Sequence, residues 1–254
     1  MKINHISISR EQCYKECQVK YKFRYHLNVK SPEPEQFYFT HGKIVHRAIE
    51  LHTKNRGSDE IEKIASDLIA GKIELQPGQK PSPIDITPEY KQALIRQLGH
   101  YKRLVEKIGF DGDIEWKFDM DMDGKGRILT GFIDRVIRKK DNFFLLDWKT
   151  TKPSQWRKDS RTITSDLQLQ CYCYVIRERF KVPAANIEAA LFFLDDNKLY
   201  PVKFSERTLD SVPVRMLQIH KEIEETNPDK AIPNIGPHCK RCDYMRLCPF
   251  YNQL

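Results

Sequence analysis

No stretch of this sequence is long and apolar enough to cross a bilayer. The greasiest runs, Phe143-Phe144-Leu145-Leu146 and Ala189–Leu194, have the length of strands, whereas a membrane helix needs ~20 residues. The opening residues Met1-Lys2-Ile3-Asn4-His5 lack the apolar core of a signal peptide. A cytoplasmic chain with no membrane association is therefore expected. No G-x-x-x-x-G-K-[ST] loop occurs, which excludes a P-loop motor. There is no internal repeat, no low-complexity tract and no linker long enough to separate two domains, so one domain over residues 1–254 is expected. An intracellular location also argues against a disulfide framework, and the seven cysteines then need another explanation.

What is present in excess is positive charge. A formal net charge of +8 favours polyanionic partners such as nucleic acid. The periodicity divides the chain into a helical part over residues 1–110, an α/β core over 111–205, and a helix with a cysteine-rich tail over 206–254. Helices are expected at 9–25, from Gly42 to about 54, at 58–72 and at 89–108. Residues 114–122, 126–138 and 142–149 alternate like strands joined by hairpin turns. A helix at 166–180, strands at 187–194 and 198–204, and a helix from the cap Ser205 to about 226 complete the pattern. The fold class is α/β, a mixed central sheet flanked by helices.

Within that sheet, Gly131-Phe132-Ile133-Asp134 precedes Leu145-Leu146-Asp147-Trp148-Lys149 by one hairpin. Asp147 and Lys149 are two apart on a strand, so they share a face, while Leu146 and Trp148 take the other. The hairpin can bring Asp134 beside Asp147. Two carboxylates at one point suit a hard cation such as Mg²⁺ or Mn²⁺. Lys149 can then stabilise charge at a phosphate, or help orient and deprotonate a water. A surface ion pair is the plain alternative, but the pair ends a run of four hydrophobic residues. His46, in Gly42-Lys43-Ile44-Val45-His46, puts an imidazole on a helix, and Gln168 and Tyr172 are i and i+4 on another.

The order G-x-x-x-H, G-x-x-D, D-x-K, Q-L-x-x-Y resembles the RecB-like branch of the PD-(D/E)XK nucleases, and the match covers most of the chain. The resemblance implies a restriction-endonuclease-like core. It makes His46, Asp134, Asp147 and the backbone carbonyl of Trp148 the metal ligands, Lys149 the catalytic lysine, and Gln168 and Tyr172 its supporting pair. Glu115 would be a further acidic residue of the site. Ile133 stands where the family's name has proline. The implied activity is a metal-dependent DNA exonuclease on single-stranded or frayed ends, in recombination, repair, or phage or CRISPR DNA processing. A structure-specific endonuclease on the same scaffold is one alternative. A non-catalytic nucleic-acid-binding protein with a structural four-cysteine metal site is another. The partner is DNA; a recombination or helicase protein partner is left open.

Cys239, Cys242 and Cys248 form C-x2-C-x5-C and lack a fourth thiolate, for which Cys17 is the candidate and Cys13 fits less well. The Cys17 segment resembles that of iron–sulfur nucleases in the same branch, which implies a 4Fe-4S cluster on Cys17, Cys239, Cys242 and Cys248. Four thiolates also suit Zn²⁺, and spacing alone does not separate the two. Cys171 and Cys173 face different ways on one helix and read as packing residues. Tyr14, Tyr21, Phe23 and Tyr25, interleaved with lysines, suit a single strand. Lys152, Arg157, Lys158 and Arg161 follow the Asp147 strand directly and are placed to grip DNA.

Overall fold

The structure is a computed structural model that describes residues 4–32, 37–151, 159 and 161–251. The chain groups into two compact units, each assembled from separate stretches. One comprises residues 37–117 and 132–209, the other 1–36, 118–131 and 210–254. The strands are β1 (His5–Ile6), β2 (Asp113–Asp121), β3 (Ile128–Lys139), β4 (Asn142–Lys149), β5 (Ile187–Phe193) and β6 (Lys198–Val202). Their order is β1-β3-β4-β5-β6, with β2 also paired to β3. Parallel β4–β5 pairing amid antiparallel β3–β4 and β5–β6 makes the sheet mixed, as expected.

In the larger unit, α3 (Phe37–Lys54), α4 (Ile61–Ile69) and α5 (Pro88–Ile108) pack on one face of β4 and β5. Ile44, Val45, Ala48 and Ile49 of α3 meet Leu94, Leu98 and Tyr101 of α5 over Leu146, Trp148, Ala190 and Phe192 of the sheet. α6 (Leu167–Phe180) is the crossover between the parallel strands and packs against both. β4 and β5 are apolar almost throughout because helices cover both faces. Asp166 caps α6 by accepting from Leu169 N. Of the cysteines read as packing residues, Cys171 and Cys173 are both buried in α6.

In the smaller unit, β1 lies parallel to Ile128–Leu129 of β3, a short strand the sequence pattern did not announce. Its N-terminal segment is tied to its C-terminal one. Tyr14 and Thr226 hydroxyls are 2.6 Å apart, Asn234 Nδ2 donates to Glu16 O, and Arg24 pairs with Asp243. Of α7 (Glu206–Glu225), residues from Asp210 onward belong to this unit.

Two expectations need correction. The single helix over 9–25 is two, α1 (Ile8–Glu16) and α2 (Gln18–Tyr21), the latter running on in a π-helical turn at Lys22–His26. The break is Cys17, whose φ of −168° is extended. The aromatics there pack on one another rather than standing free: Tyr21 is buried against Tyr14 and Tyr25, and Phe23 stacks on Tyr244. The second correction is α3, which begins at Phe37, so Gly42 lies within it rather than opening it.

Candidate active site

All the residues read as a metal and lysine constellation fall in the larger unit. His46 projects from the middle of α3, on the turn between the buried Val45 and Ala48. Asp134 lies in β3, one step beyond Arg135, which pairs with Leu146; the corresponding step on β4 is Asp147. Glu115 is the third residue of β2 and has φ 50°, a left-handed backbone for a residue with a Cβ. His46 Nδ1 is 3.6 Å from Asp134 Oδ1 and 3.8 Å from Glu115 Oε1. One donor atom from each of these three residues lies within 4.8 Å of the other two, close enough to share one cation.

Asp134 also accepts from the Trp148 backbone N–H at 2.6 Å through Oδ2, which fixes the peptide between Asp147 and Trp148. Asp147, 2 % exposed, forms an ion pair with Lys149 Nζ at 2.6 Å. Lys149 Nζ in turn donates to Gln168 Oε1 at 3.1 Å, and Gln168 Nε2 donates to Tyr172 OH at 2.7 Å. The i, i+4 spacing on α6 therefore builds a relay from the helix to the lysine. Burial alone would lower the pKa of Lys149, yet Asp147 beside it raises it, so the ammonium stays charged.

Negative charge is crowded here. Burial raises the pKa of Asp134; His46 opposes this, while Asp147 and Glu115 add to it. Burial works against charge on His46, but Asp134, Glu115 and Asp147 outweigh it and hold the imidazole above its ordinary value. A site that protonates its own donors to relieve repulsion suits a divalent cation, and carboxylates with an imidazole suit Mg²⁺ or Mn²⁺.

The family profile of the PD-(D/E)XK nuclease superfamily matches residues 5–249, nearly the whole chain. The chain belongs to the PD-(D/E)XK nuclease superfamily. Members are nucleases that act on nucleic acid with divalent metals, which agrees with the acidic cluster. No curated protein sequence matches it. Among solved structures, a protein of Eubacterium rectale named as a candidate exonuclease is 14% identical, with a TM-score of 0.53, over 96% of this chain and 88% of that one. SSO0001 is 14% identical with a TM-score of 0.45, over 98% of this chain and 88% of that one, a score too low to argue from. At such identities the Eubacterium rectale protein speaks for the fold alone.

This PD-(D/E)XK chain carries a second candidate centre, in its smaller unit. Cys17, Cys239, Cys242 and Cys248 line one cavity together with Phe23, Pro233 and Tyr251. Cys17 reaches it because the helix breaks there, whereas Cys13, one turn earlier, is buried elsewhere. All four are free thiols. His238, beside Cys239, is turned to the carbonyl of Asn234 at 2.8 Å. Of the proposed DNA-gripping residues, Arg161 is exposed beside Asp159, while Lys152, Arg157 and Lys158 lie outside the described residues.

Sequence reasoning missed a buried polar group next to the lysine. Gln97 Nε2 donates to Thr150 O at 2.9 Å and to Asp195 Oδ1 at 3.3 Å, and its Oε1 meets His41 Nε2 at 2.9 Å. The available signal was a glutamine on the apolar stripe of α5, between Leu94, Leu98 and Tyr101.

Proposed function

We propose that the protein is a metal-dependent deoxyribonuclease, an exonuclease on single-stranded or frayed DNA ends. The observation that carries the reading is the convergence of His46, Glu115 and Asp134 beside the Asp147–Lys149–Gln168 relay. His46, Asp134 and Asp147, with the carbonyl of Trp148, hold Mg²⁺ or Mn²⁺, and Glu115 adds a further carboxylate. The metal supplies a Lewis acid at the phosphate and a more acidic water. Lys149, ion-paired to Asp147 beside the metal group, meets the charge that develops on the phosphate. Gln168 aims that ammonium, and Tyr172 aims Gln168. Asp134, by taking the Trp148 N–H, orients the peptide whose neighbour carries the lysine. Arg161, with Lys152, Arg157 and Lys158, grips the backbone of the incoming strand. The exonuclease assignment rests on the resemblance in the motifs.

We infer that Cys17, Cys239, Cys242 and Cys248 hold a 4Fe-4S cluster, with a structural role. The four thiols line one cavity, which supports a shared metal group, and the resemblance of the Cys17 segment to that of iron–sulfur nucleases favours the cluster over Zn²⁺. Iron, sulfide and zinc analysis of anaerobically purified protein decides it; stoichiometric zinc without iron sinks the cluster.

The deciding assay uses Mg²⁺ or Mn²⁺ with end-labelled linear single strands and with closed circular DNA. Loss of the linear strand with the circle spared is expected. Cutting of both makes the protein an endonuclease, and binding without metal-dependent cutting makes it a binding protein. Asp147→Ala is expected to abolish cleavage while DNA binding persists; cutting at the wild-type rate removes the site.

A further inference from the structure

We infer that Arg135 is a positioning residue that holds Glu115 at the metal group, acting through the turn between α5 and β2. The inference deepens the proposed metal site and rests on it. Arg135 follows Asp134 on β3, so the two side chains leave the strand on opposite faces. It is 2 % exposed, an unusual depth for a guanidinium. Its Nη2 donates to the carbonyls of Gly109, at 3.3 Å, and Asp111, at 2.7 Å, while Nε is buried without a hydrogen-bond partner among the described residues. Burying a guanidinium on backbone carbonyls is costly, and an ordinary core would place an apolar residue there. The cost makes sense if the cation fixes something the site needs.

What it fixes is the path from α5 into β2. Gly109 ends α5 with φ 74°, and carbonyls at that helix end carry the negative pole of the helix. Three residues on, Gly112 has φ 102°, and a Cβ there would sit 2.2 Å from the Val136 carbonyl oxygen. The turn therefore lies directly on the strand residue that follows Arg135. Another three residues on comes Glu115, also at positive φ, a conformation that persists only where its surroundings enforce it. The guanidinium and the close approach at Gly112 supply that enforcement, and the result is the Glu115 carboxylate 3.8 Å from His46 Nδ1. One strand thus presents Asp134 to the metal on one face and anchors the carrier of Glu115 on the other. Both bonds leave one nitrogen, Nη2, which stands a covalent bond farther from the backbone than a lysine nitrogen, so the shorter lysine is expected not to meet both carbonyls.

The test is Mn²⁺ binding by calorimetry, with thermal denaturation as control, for Glu115→Gln, Arg135→Lys and the double variant. Each single change is expected to weaken Mn²⁺ by about 10- to 100-fold, as for other groups that orient metal ligands. The double variant is expected to bind no worse than the weaker single, because both act through one carboxylate. Wild-type affinity in Arg135→Lys, or losses that multiply in the double variant, overturns the inference. If Arg135→Lys does not fold, Gly112→Ala asks the same question by lifting the turn off Val136. It is expected to lose Mn²⁺ affinity without adding to Glu115→Gln, and unchanged affinity overturns the idea. Asp147→Ala separates the two levels. If it binds Mn²⁺ as wild type does, the metal site itself is wrong; if it loses Mn²⁺ while Arg135→Lys does not, the positioning role alone fails.

Discussion

Lys149 is ion-paired with the buried Asp147 at 2.6 Å, and that neighbour raises its pKa against the opposing effect of burial. Replacing it by methionine keeps the volume and removes the charge. Lys149→Met is expected to lower kcat by about 10²- to 10³-fold, the scale for losing one electrostatic stabiliser, with Mn²⁺ affinity changed only a few fold. Single-turnover cleavage and calorimetry check this, and equal losses in both would point to a structural lysine. The period-2 alternation of a strand made Asp147 and Lys149 legible, because it needs no knowledge of distant contacts. The 3.6-residue turn did the same for Gln168 and Tyr172. Glu115 was visible as one acidic residue among many; its left-handed backbone and the Arg135 anchor behind it are products of packing. No local pattern announces a buried arginine.

At the scale of elements, α5 acts as a brace for the strand ends. Gln97 holds Thr150 O, His100 Nδ1 donates to Leu194 O at 2.6 Å, and Leu194 N donates to Lys149 O. Gln97→Leu leaves Thr150 and Asp195 acceptors without this donor in a buried place, and is expected to destabilise the protein by about 1–3 kcal/mol. Urea denaturation measures it, and a neutral result would mean that water replaces the amide. On the neighbouring helix α3, burial holds the pKa of both His41 and His52 below the ordinary value of 6.5. The native state therefore resists taking up protons that the unfolded chain accepts. Their contribution is complete above about pH 6.5 and is lost as pH falls through the lower native values. The melting temperature is expected to drop on acidification below that point, and His41→Gln with His52→Gln should flatten the slope. Strands β2 to β6 fell within a few residues of the pattern-based ranges. The start of α3 did not, because Gly42 looks like a breaker. A Cβ built on it would lie 3.5 Å from the Thr150 hydroxyl, an ordinary contact, within an otherwise regular helix.

At the scale of the whole molecule, contacts divide the chain into two units whose segments alternate along it. The four thiols draw on both ends of the smaller unit, so a group held by all of them closes a loop of roughly 220 residues, worth about 5 kcal/mol in a chain-entropy account. Cys248→Ser is expected to give a colourless protein with a lowered melting temperature, and proteolysis is expected to cut first within residues 1–36 or 210–251. A coloured variant as stable as the parent would remove the cluster. This arrangement also sets an order of events on the ribosome. Every residue of the larger unit emerges before Cys239, and at ordinary elongation rates Cys17 waits roughly 10–45 s for its three partners. The larger unit can finish first, and Cys17 stands alone meanwhile. If the four thiols hold the proposed iron–sulfur cluster, its delivery becomes the last step of maturation, and cells short of iron would accumulate a chain whose larger unit is built and whose two ends are not yet tied.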